Sequence, residues 1–160
     1  MKAITSLTAL VLGASLAATA LAQDGLAIRD AYVRSANPKS AAAFMVVENR
    51  GTGECRLTGV SSDAAAMVEL HTNAEQDGVM KMQKIEGGIA IPAGGEHVLA
   101  RGGDHVMLMG LTRPLADGDA VALTLDFGDC GTRQVEAALD NGRTEETHGA
   151  QAGSGGHQGH

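Results

Sequence analysis

Asp77-Gly78 stands between two short runs, Val68-Glu69-Leu70-His71 and Val79-Met80-Lys81-Met82. Asp-Gly between alternating runs is a strong signal for a β-hairpin. The same punctuation recurs along the chain, at Asn37-Pro38-Lys39-Ser40, Asn49-Arg50-Gly51-Thr52-Gly53, Ser61-Ser62-Asp63, Gly87-Gly88, Pro92-Ala93-Gly94-Gly95 and Arg101-Gly102-Gly103-Asp104. Between these breaks lie runs of strand length. Ile28, Ala31 and Val33 form an irregular apolar pattern, residues 41–48 are almost continuously apolar, and residues 55–60 alternate. Val121, Leu123, Leu125 and Phe127 alternate cleanly, and residues 133–139 read as a last strand. Many short strands with Gly-rich turns predict an all-β sandwich or barrel. No internal repeat is visible.

The hairpin fixes where donor side chains fall. A two-residue turn at Asp77-Gly78 sets His71 opposite Lys84, with Met82 as its diagonal neighbour on the same face; a four-residue loop would set His71 directly opposite Met82. Diagonal neighbours lie about 7–8 Å apart, within reach of long side chains. In the run His105-Val106-Met107-Leu108-Met109, alternation puts His105 and Met107 on one face and Val106 and Leu108 on the other. Three strands can thus aim His71, Met82, His105 and Met107 at one point.

Taken singly, each of these residues fits an ordinary packed side chain, since Met is a common core filler. As a set they form a soft, neutral donor group suited to Cu(I), because thioether sulfur favours soft ions and imidazole tolerates both copper states. Four of the seven methionines lie in the two runs beside these histidines. Met80 and Met109 alternate with the proposed ligands and read equally as a soft rim or as core packing. His97, in Glu96-His97-Val98-Leu99, has no Met or Cys partner at short spacing and reads as a surface histidine.

These motifs carry a resemblance. A His, ten residues, a Met, twenty-two residues, then His-x-Met, within Val68-Glu69-Leu70-His71, Asp77-Gly78-Val79-Met80-Lys81-Met82 and His105-Val106-Met107-Leu108-Met109-Gly110-Leu111, resembles the PCuAC family of periplasmic copper chaperones over roughly residues 26–138. The resemblance implies a cupredoxin-like Greek-key β-sandwich, Cu(I) held by His71, Met82, His105 and Met107, and supply of copper to the binuclear CuA site of cytochrome c oxidase or to a thiol copper chaperone serving it.

The chain of 160 residues is one domain's worth, with a core that must rest on aliphatic residues and Met, since aromatics are only 2%. Its net charge of -7 argues against nucleic acid as a partner. Residues 1–22 read as a cleaved signal peptide: Lys2, an apolar stretch, and Ala20-Leu21-Ala22 before Gln23. The apolar stretch is short for a membrane anchor, and no other stretch could span a bilayer. The expectation is an exported, periplasmic protein with its folded domain over residues 23–140.

Residues 141–160 lack apolar periodicity, are dominated by Gly, Ser, Gln and His, and are expected to be a disordered tail. They hold His148, His157 and His160, half of the six histidines, and no Met, a composition that points to Cu(II) rather than Cu(I) if it is more than solubilising. Cys55 and Cys130 are an even pair in an exported chain and so candidates for a disulfide; a thiolate ligand is the alternative, which the spacing to the His105 run does not support.

Three rival readings remain. An enzyme is disfavoured, as there is no nucleophile motif, no phosphate loop and no three-ligand zinc pattern with a catalytic carboxylate. A periplasmic copper store or resistance protein could use the same donors without delivery. A structural β-sandwich would bind no metal.

Overall fold

The computed structural model describes residues 25–144. Eleven strands and one short 3-10 helix follow one another: β1 (Leu26–Asn37), β2 (Ser40–Asn49), β3 (Cys55–Leu57), β4 (Gly59–Ser61), β5 (Ala65–Gln76), β6 (Val79–Lys84), β7 (Ile89–Ile91), β8 (Glu96–Leu99), β9 (His105–Leu111), β10 (Ala120–Asp126), the helical turn Gly128–Cys130 and β11 (Thr132–Leu139). A nine-stranded sheet runs β4-β10-β11-β1-β2-β9-β5-β6, with β8 also paired to β2, while β3 and β7 form a second, two-stranded sheet. The fold is all-β and cupredoxin-like, as the sequence predicts. Every pairing is antiparallel except that of β1 with β11.

Alternation explains the core. Leu70 on β5, Val106 and Leu108 on β9, and Ala41, Ala43, Met45 and Val47 on β2 all point inward and are buried. They pack in one cluster with Val121, Leu123 and Leu125 of β10, Leu57 and Ile91 of the small sheet, and Phe127. The continuous apolar character of β2 has a topological cause: its far edge is shared, the first half pairing with β9 and the second with β8.

The irregular spacing of Ile28, Ala31 and Val33 is a β-bulge. Ile28 pairs with Val47 and Val33 with Ala43, and the register slips between Arg29 and Tyr32. Asp30, at φ 55°, is the extra residue. Residues 55–60, in contrast, are two strands rather than one. β3 pairs with β7 and β4 with β10, because the chain changes sheet at Thr58, whose N–H donates to the Asp126 carbonyl. Cys55 and Cys130 are joined by a disulfide that ties β3 to the helical turn before β11.

Candidate metal centre

Asp77 and Gly78 both have positive φ, 54° and 77°, the two-residue type I′ turn whose twist suits a hairpin. Gln76 therefore pairs with Val79, Asn73 with Met82 and His71 with Lys84. On the other side of β5, His71 lies directly opposite His105, and Glu69 opposite Met107. His71, Asn73 and Glu69 share one face by alternation, so His105, Met107, Met82 and Lys84 share it too. The two imidazoles form the central row, their ring centres 6.0 Å apart and nearly edge-on. Met107 lies in the neighbouring row on one side and Met82 in the row on the other.

Each imidazole is oriented by a partner. His105 is 3% exposed, and its Nδ1 lies 3.0 Å from the Gly103 carbonyl. A carbonyl only accepts, so Nδ1 carries the proton and the lone pair sits on Nε2. The Nε2 of His71 lies 2.9 Å from Glu69 Oε2, and Lys84 Nζ donates to Glu69 Oε1 at 2.9 Å. Those hydrogen bonds, that of His71 first and Lys84 second, hold the Glu69 carboxyl below the usual carboxylate range. An ionised carboxylate also only accepts, so the His71 lone pair sits on Nδ1. That atom is buried without a hydrogen-bond partner, alone in this among the described side chains. A buried nitrogen lone pair left open beside a second imidazole fits a metal-binding role.

Among the described residues no three His, Cys, Asp or Glu side chains gather as a metal group. Met82 is 52% exposed and Met107 half-buried, so both sulfurs can reach an ion arriving from solvent. Met80 (60% exposed) and the half-buried Met109 lie outside the core. His97 differs from expectation: it is half-buried, with Nε2 2.9 Å from Asp104 Oδ2, because β8 packs beside the turn leading to His105. His148, His157 and His160 lie outside the described residues, as do residues 1–22.

Sequence reasoning missed three neighbours. Glu69 sits two residues before His71, so alternation alone could have placed it beside the imidazole. Tyr32 and Phe44, two of only three Tyr and Phe residues, extend the row: Tyr32 lies 5.1 Å from Phe44, which lies 6.2 Å from His105, ring centre to ring centre. They are buried on the outer face, and the Arg143 guanidinium caps Tyr32 at 4.5 Å.

A family model described as "Putative lipoprotein LpqE-like" matches residues 26–139. The chain belongs to the LpqE-like family. A protein of Leifsonia xyli subsp. xyli named as a putative lipoprotein is 40% identical over 112 residues, 70% of this chain and 68% of that one. The LpqE-like family is related to the PCuAC domains. The solution structure of Cu(I)-DR1885 from Deinococcus radiodurans is 32% identical, with a TM-score of 0.58 over 74% of this chain and 82% of that one. The copper-bound PCuAC domain from PmoF2 is 26% identical, with a TM-score of 0.59 over 72% of this chain and 92% of that one. The PCuAC resemblance read from the His and Met spacing thus holds. No helix among the described residues of this LpqE-like chain is long and apolar enough to cross a membrane.

Proposed function

We propose that this LpqE-like protein is an exported, non-catalytic carrier of Cu(I), which it holds through His71, Met82, His105 and Met107 and passes to an exported acceptor. The observation that carries this reading is the opposed imidazole pair, with the His71 Nδ1 buried and unpartnered and Met82 and Met107 in the adjoining rows of the same face. The copper-bound structures of similar chains support it. Relatives named as lipoproteins and the bridged cysteines support export to an oxidising compartment, the periplasm. A thiolate pair there is prone to be lost as a disulfide, whereas thioethers are not and need no deprotonation to bind.

The acceptor is the CuA site of cytochrome c oxidase or the thiol chaperone that serves it. Neutral donors bind Cu(I) less firmly than paired thiolates, so the gradient runs from this protein to a reduced dithiol and not to its disulfide. His148, His157 and His160 help capture Cu(II), separately from the Cu(I) site or together with it, and only as neutral imidazoles, so that uptake weakens as the rings protonate at about pH 6.

The test has two parts. Replacing Met82 and Met107 together by Leu keeps volume and should weaken Cu(I) binding without unfolding; unchanged affinity removes the site. Cu(I)-loaded protein is then mixed with reduced and with oxidised acceptor, and copper is measured on each after separation. Copper moving only to the reduced form supports delivery; copper retained in both mixtures makes the protein a store.

A further inference from the structure

The outer face of β5 and β9 continues one row beyond Glu69 and Met107. There Met67 and Met109 are directly opposed. Opposed residues on one face have Cβ atoms about 4.5–5.5 Å apart, so two flexible thioethers can converge on one ion. Met67 is 53% exposed, far from where a methionine serves packing, and neither residue belongs to the core. On β2, the residues opposite Met109 and Met107 are Ser40 and Ala42, both small side chains. The next row towards the imidazoles holds Met107, opposite Glu69, whose carboxylate is already engaged by His71 and Lys84.

We infer that Met67 and Met109 form a second, weaker soft-metal site, two rows from the imidazole pair, through which Cu(I) enters or leaves with Met107, in the row between, as the thioether shared between the two positions. The inference rests on the proposed carrier role. Passage exchanges one thioether for another around an ion that stays Cu(I), so no electron or proton moves. Two neutral thioethers bind such an ion less firmly than two imidazoles and two thioethers, so the second position fills after the first.

Methionine methyl groups report both positions separately. The full mature chain, labelled with 13C-methyl methionine, is titrated with Ag(I), a redox-inert soft ion standing in for Cu(I). Residues 145–160 contain no Met and are silent in this spectrum. The first equivalent should shift Met82 and Met107, and the second Met67 and Met109. Met45, 2% exposed in the core, and Met80, exposed but away from this row, should hold still. The M67L/M109L variant, and each single variant, should lose the second event and keep the first at unchanged affinity. Met67 and Met109 unmoved by excess Ag(I), or moving no more than Met80, would overturn the inference. If instead they respond while Met82 and Met107 stay silent, the second site stands and the proposed four-ligand site falls.

Discussion

Strands β5 and β9 carry two faces that share a backbone and little else. Inward from β5 and β9 point Leu70, Val106 and Leu108, all buried in the core. Outward, from positions one residue away, point Glu69, His71, His105 and Met107. The inner face is apolar, closely packed and without polar atoms to satisfy. The outer face is polar, partly open and, at His71 Nδ1, deliberately incomplete by the usual accounting of buried polar atoms. Core packing and the proposed binding chemistry therefore fall on alternate residues, since the sheet has a period of two.

The largest test of that separation compares neighbours. Leu108 is wholly buried, and Leu108→Ala should cost about 2–5 kcal/mol through lost contacts and a cavity. Met107→Leu, one residue earlier, should cost under about 1.5 kcal/mol yet weaken Cu(I) binding markedly. Urea unfolding gives the first quantity and competition with a Cu(I) chelator the second. Equal losses of stability would show that the outer face is structural and break the comparison.

The disulfide sharpens the same contrast from a distance. Cys55–Cys130 spans 75 residues and closes the small sheet onto the helical turn, away from the imidazole row. Replacing both cysteines by Ser should lower stability by about 2–4 kcal/mol, chiefly by freeing the unfolded chain. Cu(I) affinity, measured well below the lowered melting temperature, should be unchanged. A parallel fall in affinity would mean that the outer face depends on tension held in the other sheet.

Glu69 holds the His71 ring by a hydrogen bond, and its test is electrostatic. Glu69→Ala leaves His71 Nε2 without its acceptor and lets the ring sample the other tautomer, for a loss of about 10-fold or more in Cu(I) affinity. Glu69→Gln restores an acceptor and should recover most of it. Long-range 15N correlation on the apo-protein should show Nδ1 unprotonated at His71 in the parent and mixed tautomers in Glu69→Ala. The folded carboxyl is held below its usual value, so its contribution to stability is present above about pH 4.5 and disappears as pH falls below that. Glu69→Gln should therefore flatten that part of the acid unfolding curve; an unchanged curve would show that the ion pair contributes nothing.

The sequence made the outer donors legible because alternation and a two-residue turn are local rules. His71 and Met82 could be set on one face of a hairpin, and His105 and Met107 on one face of a strand, from spacing alone; the structure takes the two-residue turn of the two registers the sequence allowed, and the pairing of β5 with β9 joins the two pairs. Even the disturbed spacing of Ile28, Ala31 and Val33 held information, as an inserted residue at Asp30. What stayed hidden was non-local. Nothing in residues 55–60 announces that β3 and β4 belong to different sheets, since that depends on β7 and β10, far along the chain. Tyr32 reaches Phe44, and Phe44 reaches His105, only because β1, β2 and β9 are neighbours, and His97 meets Asp104 only because β8 shares the edge of β2.

The turn itself offers the smallest effect and the most discriminating one. Gly78 sits at φ +77°, where an added Cβ would meet nothing within 4 Å. Gly78→Ala is therefore penalised by backbone conformation alone, and about 1 kcal/mol of destabilisation is expected. Asp77 also has positive φ, but Asp tolerates that region, so Asp77→Gly should change stability by less than about 0.5 kcal/mol. Neither change alters the count of residues in the turn, so Met82 stays on the face of His71 in both. A one-residue slip would carry Met82 to the opposite face and bring Lys81 or Gln83 in its place. Unfolding midpoints and Cu(I) affinities for the two variants distinguish these outcomes. If Gly78→Ala weakens Cu(I) binding far beyond its effect on stability, the turn sets the register on which Met82 depends. If affinity holds while stability drops, the pairing of β5 with β6 is fixed by the strands themselves, and the donor face is more robust than the turn that connects it.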